Sequence, residues 1–473
     1  MSRLVFNQRA VDMAQHTLRA HDGMKILPVA KRMKRKPDLL TLGDPCVAGN
    51  IIPHPGLLRN IAREFTNIAD GRVALGGYTN ANGYPPLVDL LSKRLKIPDS
   101  HLKVTAGSSS AVRTIFQVLF GNRRNKNVVI PELSYVSYFA ESVLSGAKVR
   151  KVALDSFGKP KIDDLDRAIN QNTELVVIIP VGNPFANPLS SQELLELVLL
   201  INQRQEDLGK HIFLAIDTAY VRFMETGDLA DKLRGILREK IGGTILLETY
   251  SKIWAFSGGR LGYMGLIWND SKFVKPEIKD QFITEVDNTL RILLTFVPTP
   301  VQAGLYCTLF EEEIDRDAFI DTMDYERNLR VTVQERLKAF VEGAMNIRHG
   351  NVRLVAHPYY RQSNLPEVPF IENIWDVDFG KIPHIYSVLG LEGVENLTGL
   401  SLGGAIGLWQ LKNTDFNPLV TTPLTAFGAT KGDWLRFVPL AEDADRVRIL
   451  EGLNAFVERA SKGPIRPEDL ATL

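Results

Sequence analysis

Short apolar runs recur along the first part of the chain, and a longer segment with helical character separates each run from the next. The runs occupy residues 102–105, 128–131, 175–179, 213–216 and 245–247. Each run is too short for a buried helix, and its branched residues are typical of a strand buried on both faces. Strands that alternate with helices in this way predict a mostly parallel sheet covered by helices on both faces. The sequence therefore predicts an α/β fold.

The length of the chain predicts more than one domain. At 473 residues, the chain exceeds the size at which a single hydrophobic core usually stops growing. We predict a large domain over residues 56–324 and a smaller α+β domain, which combines an N-terminal arm over residues 1–55 with residues 325–473. The Pro- and aromatic-rich stretch within residues 343–400 follows no regular pattern, which predicts an insertion or a lid.

Charge and cysteine content argue against several classes of partner. The net charge is +1 and both signs are distributed along the chain, so nothing indicates binding to nucleic acid. Cys46 and Cys307 offer neither a disulfide framework nor a paired metal-binding spacing. No segment has the continuous apolar length of a secretory signal or of a membrane span. We expect a soluble, cytoplasmic protein without a metal.

A turn of small residues separates the predicted strand at 102–105 from the helix that follows it. The turn reads Ala-Gly-Ser-Ser-Ser, with Gly107, Ser108 and Ser109 at the start of the helix. The first N–H groups of a helix lack partners within the helix, and the helix dipole favours a negative group. This segment therefore predicts an anion cradle, although a serine that only caps the helix would give the same pattern.

A lysine, two glycines and an arginine follow the predicted strand at 245–247. The stretch 249–264 reads TYSKIWAFSGGRLGYM and places Lys252 just beyond the strand end. Ligands of open α/β sheets bind in the crevice beyond the carboxyl ends of the strands. A lysine held there among partly dehydrated groups can lose its proton and attack a carbonyl. A single loop lysine is more commonly an ordinary solvated side chain, so its surroundings decide between the two interpretations.

Other predicted strand ends also carry polar or aromatic side chains, which are Tyr135, Asn187, Asp217 and Tyr220. Each of them alone is weak evidence of function. Together with Lys252, and in this order along the chain, they resemble the class I and II aminotransferases, a family of fold type I pyridoxal phosphate enzymes. The likeness runs from about residue 39 to about residue 437, which is most of the chain.

The lysine motif is the most specific part of this resemblance. The family carries a hydroxyl residue three positions before the lysine and an arginine eight positions after it, and Thr249, Lys252 and Arg260 keep that spacing. The resemblance implies that Lys252 holds pyridoxal 5'-phosphate as a Schiff base and moves a proton during the reaction. It also implies that Thr249 and Arg260 bind the phosphate.

The resemblance also gives roles to the residues at the neighbouring strand ends. Asp217 would keep the pyridine nitrogen of the cofactor protonated, Tyr220 and Asn187 would hydrogen-bond its 3-hydroxyl oxygen, and Tyr135 would stack on its ring. The phosphate cradle would be formed by Gly107, Ser108 and Ser109. One departure is that Asn187 is followed by Pro-Leu-Ser rather than by the family's Pro-Thr-Gly, which predicts a reshaped turn.

Three further matches concern the substrate and the oligomer. Gly43, in LTLGDP, resembles the glycine whose backbone approaches the substrate carboxylate, and Arg436, in GDWLRF, resembles the arginine that clamps this carboxylate with two parallel hydrogen bonds. The alternative for Arg436 is a paired charge in the core. Tyr78, in YTNANG, resembles the tyrosine that reaches the phosphate of the neighbouring subunit. This match implies a homodimer with active sites at its interface.

These matches imply an aminotransferase that moves an amino group between an amino acid and a 2-oxo acid in a ping-pong mechanism. A lyase or a decarboxylase of the same fold would use the same residues, so the motifs leave both open. A catalytically silent regulatory protein is a further alternative, and the intact Lys252 argues against it. A nicotinamide-dependent dehydrogenase is disfavoured because no G-x-G-x-x-G follows a predicted strand with an acidic residue beyond it.

Overall fold

A computed structural model of the chain describes residues 26–471 apart from a set of gaps. The gaps are 40–44, 74–76, 122, 124, 156, 186–187, 224–232, 234, 271, 294–295, 357–386, 395–396, 398–401, 424–433 and 439. Among the described residues, no helix has the length and apolar character needed to cross a membrane. The same residues contain no group of three or more His, Cys, Asp or Glu side chains that would hold a metal ion. Much of the predicted insertion within 343–400 lies outside the described residues.

The described residues form strands and α-helices with the following bounds. The strands are β1 (Asp38–Leu39), β2 (Leu102–Thr105), β3 (Asn127–Pro131), β4 (Lys148–Val152), β5 (Thr173–Ile178), β6 (Phe213–Asp217), β7 (Gly243–Thr249), β8 (Gly262–Trp268), β9 (Arg348–His349), β10 (Val352–Ala356), β11 (Ser387–Glu392), β12 (Leu419–Val420), β13 (Thr422–Pro423) and β14 (Trp434–Phe437). The helices are α1 (Ile26–Arg32), α2 (Pro45–Gly49), α3 (Pro55–Ala69), α4 (Pro85–Leu95), α5 (Ser108–Phe120), α6 (Val136–Ser145), α7 (Ile162–Ala168), α8 (Ser191–Leu208), α9 (Pro276–Leu293), α10 (Thr299–Ile314), α11 (Arg316–Met345), α12 (Leu402–Lys412) and α13 (Asp443–Ser461).

The main sheet has seven strands in the order β2-β8-β7-β6-β5-β3-β4. All neighbouring pairs are parallel except the two pairs that β8 makes with β7 and with β2. Because β8 is antiparallel to both, β2 runs in the same direction as β7. The prediction of a mostly parallel sheet is confirmed, and β4 and β8 are additions to the predicted strands.

Helices cover both faces of the main sheet. Along β7, Leu246 packs into one hydrophobic cluster, whereas Ile245 and Leu247 pack into another, because successive side chains of a strand point to opposite faces. Helices α3, α4, α7, α8 and α10 contribute to the first cluster. Helices α5, α6 and α9 contribute to the second. The two-sided cover that the sequence predicts is therefore present.

Local sequence signals explain where some of these helices begin. Ser190 and Glu193 form a capping box at the start of α8, where each side chain accepts a backbone N–H of the other residue. Pro85 and Pro86 occupy the first turn of α4, where the missing N–H of proline costs no helical hydrogen bond. Local side-chain chemistry therefore sets the residues at which these two helices begin.

A second, smaller unit is built around a five-stranded antiparallel sheet with the order β13-β14-β11-β10-β9. Helices α11, α12 and α13 contribute to its hydrophobic cluster. The N-terminal part of the chain joins this unit, because β1 pairs with β12 and α1 packs against α12. This arrangement is a smaller α+β part of the kind the sequence predicts. The domain boundaries near residues 55 and 324 stay predictions.

Candidate active site

One edge of the main sheet gathers residues from separate parts of the chain. The carboxyl ends of β5, β6 and β7 lie at this edge because the three strands are parallel neighbours. Helix α5 begins at the same edge, since it follows β2, which runs in the same direction as β7. Asp217 ends β6 and Thr249 ends β7. This edge is where open α/β sheets bind their ligands.

Gly107, Thr249 and Arg260 meet at the start of α5. Gly107 has a φ of 74°, and a Cβ atom at this position would lie 3.0 Å from Nη2 of Arg260 and 3.5 Å from Oγ1 of Thr249. Nη2 of Arg260 donates to the carbonyl oxygen of Ala106 at 2.7 Å. Gly107, the N-cap of α5, has no side chain that could accept a hydrogen bond from the first N–H groups of the helix. A guanidinium beside the N-terminus of a 13-residue helix forms a cradle suited to an anion.

The end of β7 brings buried hydroxyl groups to this cradle. Oγ1 of Thr249 lies 2.8 Å from Oγ of Ser251, and both residues are buried. Gly262 on β8 permits the close approach of the two segments, because a Cβ atom there would lie 2.4 Å from the carbonyl oxygen of Glu248 and 3.0 Å from Cα of Gly107. The backbone of β8 thus fixes the distance between the cradle and β7.

Asp217 is a buried carboxylate with two hydrogen-bond donors. Its Oδ2 accepts the hydroxyl of Tyr138 at 2.8 Å, and its Oδ1 accepts the N–H of Ala219 at 3.1 Å. Burial raises the pKa of Asp217, and the two hydrogen bonds and the nearby positive charge of Lys252 oppose this rise. The opposition favours the ionised form, which is the form that pairs with a cation such as a protonated ring nitrogen.

Lys252 lies in the turn after β7 and faces the end of β6. Its Nζ is 5.8 Å from the centre of the Tyr220 ring, and its charge acts on Asp217. Trp254, two residues later, is fully buried and donates its indole N–H to Oε1 of Glu326 at 2.8 Å. This anchor restrains the turn, so Lys252 is held near Asp217 and Tyr220.

Tyr135 connects the cradle with the buried carboxylate. Its hydroxyl lies 3.2 Å from Oγ of Ser109, the second residue of α5. Its ring meets the ring of Tyr138 edge to face, with 6.5 Å between the ring centres. Ser108, at the first position of the helix, is buried. The predicted stacking residue thus lies between the anion cradle and Asp217.

Arg436 approaches the same edge from the smaller unit. It lies on β14, is 6% exposed, and donates from Nη1 to Oδ1 of Asn183 at 3.1 Å and from Nη2 to Oγ1 of Thr422 at 3.4 Å. Asn183 follows β5, whose carboxyl end lies at the site. The contact therefore joins the two units of the chain next to the candidate site.

The remaining predicted residues are distributed differently. Gly43 and Asn187 lie outside the described residues. Tyr78 is 82% exposed, and its ring meets Phe296 edge to face at 4.8 Å between ring centres. An exposed aromatic ring on the surface of one chain is compatible with a residue that serves a second chain.

Two residues that contact the predicted site residues were not predicted from the sequence. Tyr138, which donates to Asp217, lies three residues after Tyr135, the N-cap of α6. This short separation at the start of a helix was a usable signal. Asn183, which accepts from Arg436, is 253 residues away from it in the chain. No local pattern predicts a contact of that separation.

The chain thus has an anion cradle, a buried carboxylate and a lysine at one edge of a two-sided α/β sheet of the fold type I kind. The chain belongs to the aminotransferase class I and II family, whose model matches residues 39–343.

Similar proteins agree with this assignment. The histidinol-phosphate aminotransferase of Bacillus subtilis subsp. natto is 27% identical over 173 residues, which are 37% of this chain and 45% of that protein. The histidinol-phosphate aminotransferase of Staphylococcus carnosus is 25% identical over 187 residues, which are 40% of this chain and 50% of that protein. The chain thus spans about half the length of these curated relatives.

Solved structures share the fold over nearly the whole chain. An alanine aminotransferase from Pyrococcus furiosus superposes with a TM-score of 0.71 and 19% identity, and the match covers 96% of this chain and 100% of that one. A mutant aspartate aminotransferase of Thermus thermophilus gives a TM-score of 0.68 at 16% identity, with coverage of 96% and 100%. The predicted fold type I architecture is confirmed.

The site residues fit the cofactor that this family implies, pyridoxal 5'-phosphate. The cradle formed by Gly107 and Arg260 suits a phosphate. The buried Asp217 suits a pyridine nitrogen, and the amine of Lys252 suits an aldehyde. Each of the three chemical features of the cofactor has a matching group at one sheet edge.

Proposed function

We propose that this protein is a pyridoxal 5'-phosphate-dependent aminotransferase that moves an amino group between an amino acid and a 2-oxo acid in a ping-pong mechanism. The observation that carries this proposal is the convergence of Lys252, Asp217 and the cradle of Gly107 and Arg260. When bound, the cofactor supplies an electron sink for the carbanion that forms at the substrate's α carbon.

The residues around the cofactor would bind and orient it. Arg260, Thr249 and the N-terminus of α5, including Ser108 and Ser109, bind the phosphate. Tyr135 stacks on the ring, while Tyr220 and Asn187 hydrogen-bond its 3-hydroxyl oxygen.

Asp217 and Lys252 would carry the proton chemistry. The Asp217 carboxylate holds the proton on the ring nitrogen, and Tyr138 keeps that carboxylate ionised by donating to it. The Lys252 amine would hold the cofactor through its aldehyde group. When substrate is bound, the same amine would act as the base that takes the proton from the substrate's α carbon.

Arg436 and the backbone of Gly43 would hold the substrate's α-carboxylate, since a guanidinium offers two parallel N–H donors to two carboxylate oxygens. Tyr78 would reach the phosphate bound by a second copy of the chain, which makes the homodimer the active form. A cytoplasmic location stays a prediction. The relatives' names suggest histidinol phosphate, alanine and aspartate as the first amino donors to examine.

Replacement of Lys252 by alanine tests the proposal. The variant is expected to lose the visible absorbance of the lysine-bound cofactor and to lower turnover by more than about 10³-fold, because it removes both the covalent link and the proton carrier. An exposed lysine, Lys338 on α11, provides the control variant K338A, which keeps spectrum and rate. A K252A protein with the spectrum and rate of the wild type overturns the assignment.

Incubation of the purified enzyme with single amino acids separates transamination from the lyase and decarboxylase alternatives. A transaminase converts its cofactor to the amino form and releases one equivalent of 2-oxo acid without an acceptor. Catalytic release of carbon dioxide or ammonia would instead identify the alternative chemistry at the same residues.

A further inference from the structure

A buried glutamate lies directly behind the residues that would hold the cofactor. Glu248 is the penultimate residue of β7, is 8% exposed, and precedes Thr249 and Lys252 by one and four positions. The family resemblance gives no role to this position. A buried carboxylate needs hydrogen-bond donors and a positively charged partner to remain ionised. The contacts of Glu248 therefore indicate its role in the site.

Both oxygens of Glu248 accept hydrogen bonds, and the two donors come from different strand ends. Oε1 accepts the N–H of Thr249 at 2.9 Å. Oε2 lies 2.8 Å from the hydroxyl of Thr218, which shares its single hydrogen between Glu248 and the carbonyl oxygen of Leu247 at 2.7 Å. Thr218 directly follows Asp217 at the end of β6. The carboxylate therefore bridges the strand end that carries Asp217 and the strand end that carries Lys252.

Charged groups from several elements surround this bridge. Arg222, beyond the end of β6, is the nearest source of positive charge, and Asp217 is a negative neighbour. Arg222 pairs with Glu326 on α11 and lies over the rings of Trp254 and Tyr250, at 5.4 and 5.9 Å.

Two more carboxylates complete the surroundings of Arg222. Glu312 on α10 acts on Arg222 and Tyr250, and Glu326 also lies 3.8 Å from Arg330. Glu312 also pairs with Arg94, and Glu326 also lies near Arg330. Glu248, by contrast, has Arg222 and two uncharged hydrogen-bond donors. The charge of Glu248 thus acts mainly on the strand ends.

We propose that Glu248 is a positioning residue for the reaction at Lys252, because it fixes the two strand ends that carry Asp217 and Lys252 relative to each other and places a negative charge behind them. This inference rests on the proposed function. A negative charge beside a cationic group raises the pKa of that group. Glu248 therefore favours the protonated forms of the lysine-linked cofactor and of its ring nitrogen.

The charge of Glu248 depends on pH near neutrality. Burial raises its pKa to about 7, and Asp217 adds to the rise, while Arg222 and the hydrogen bonds from Thr249 and Thr218 oppose it. The carboxylate is therefore charged above pH 7 and becomes neutral below it. Its effect on the site is expected in the alkaline range.

The test is a spectroscopic pH titration of the purified enzyme loaded with pyridoxal 5'-phosphate, for wild type and E248Q. Glutamine keeps the shape and can still accept the Thr249 N–H, but it carries no charge. The midpoint pH of the visible spectral transition should fall by roughly half to one pH unit. The thermal midpoint of the cofactor-free protein provides a second readout that does not depend on catalysis.

The matched control is E174Q, the same substitution at an equally buried glutamate near the amino end of the main sheet, on β5. It removes the carboxylate that pairs with Lys126 and Lys210, so it should lower the thermal midpoint while leaving the spectral midpoint in place. An equal spectral shift in E174Q, or no shift in E248Q, overturns the inference.

A further variant covers the case in which E248Q does not fold. T218V removes one donor to Glu248 and should move the spectral midpoint in the same direction by a smaller amount, and an unchanged midpoint overturns the inference. K252A separates the two proposals. If K252A loses the spectrum and E248Q leaves the midpoint unchanged, only the role of Glu248 fails.

Discussion

The two ends of the main sheet both bury ionisable side chains, but they use them differently. At the carboxyl end, Lys252 in the segment after β7 acts on Asp217 at the end of β6, and Arg260 in the same segment lies beside Gly107. At the amino end, Lys240 lies before β7 and is fully buried. Its Nζ donates to the carbonyl oxygens of Ile241 and Ile212 and to Oε1 of Gln205, at 2.6, 3.1 and 3.3 Å.

This contrast shows that burial of a charged group does not by itself mark a functional site. At Lys240, three oxygens of the chain lie within hydrogen-bond distance of Nζ, so these neighbours occupy the donors of the amine. The group is therefore part of the packing between the starts of β6 and β7. At the other end, the guanidinium of Arg260 lies beside Gly107 at the N-terminus of α5, and a cationic group at a helix N-terminus is suited to an anion.

Substitution of Asp217 by asparagine should have the largest effect on activity. Asparagine keeps the size of the side chain but cannot stabilise a protonated ring nitrogen by charge, so kcat should fall by about 10³-fold. Steady-state kinetics with saturating cofactor measure this change, and absorbance of the bound cofactor confirms that the site is loaded. If D217N and K240M lose activity to a similar degree, the functional distinction between the two sheet ends is wrong.

Substitution of Lys240 by methionine should change stability without changing kcat. Burial lowers the pKa of Lys240 to about 7, whereas the unfolded chain keeps a value near 10.4. Between these values the unfolded state binds more protons, so the contribution of Lys240 makes the wild type more stable as pH rises, by about 1.4 kcal/mol per pH unit.

K240M lacks this pH-dependent contribution. The difference in unfolding free energy between the wild type and K240M should therefore change in favour of the wild type from pH 7 to pH 9. Thermal unfolding at both pH values measures the gap, with K338M as a control at an exposed lysine. A gap that stays constant with pH would mean that Lys240 is charged in the folded protein throughout this range.

The sequence predicts those parts of the fold and of the site that depend on local patterns. The strands around Ile245 and the helix after Gly107 follow from local patterns of apolar and small residues. Lys252 and Arg260 could be predicted because both lie in one short segment with a recognisable spacing.

The parts of the site that the sequence does not predict depend on contacts between distant segments. Arg436 meets Asn183 across 253 positions, and Trp254 meets Glu326 across 72. Strand β8 was missed because it pairs antiparallel with β7 and β2, so it lies outside the repeating order of strand and helix. Strand β4 was missed because its sequence, KVRKV, is mostly charged and exposed and so forms no apolar run. Pairing partners are chosen by tertiary packing, and a single sequence carries little information about them.

Substitution of Gly107 by alanine should weaken cofactor binding with less effect on the chemistry. The φ of 74° is strained for alanine, and the new Cβ would lie 3.0 Å from Nη2 of Arg260. We expect a loss of about 1 to 2 kcal/mol, or roughly tenfold in the dissociation constant. Titration of the cofactor-free protein measures it. G209A, at a glycine of similar φ beyond α8 with open space around it, should leave cofactor affinity unchanged.

Substitution of Tyr138 by phenylalanine should have the smallest effect and gives the finest test of the carboxyl end. The variant loses one hydrogen bond to Asp217, which is worth about 1 kcal/mol and corresponds to a roughly fivefold decrease in kcat. Because this bond lowers the pKa of Asp217, its loss should raise that pKa, and the acid limb of the kcat/KM profile should move to higher pH.

The control for this variant is Y306F, which removes a hydroxyl from a tyrosine on α10 that stacks on Phe310. It should leave both the rate and the pH profile unchanged. If Y138F lowers kcat without moving the acid limb, Tyr138 supports the packing of α6 rather than the charge of Asp217. A shift of the acid limb that appears in Y138F and not in Y306F links the hydroxyl to the ionisation of the buried carboxylate, which is the property that sets the carboxyl end of the sheet apart from the amino end.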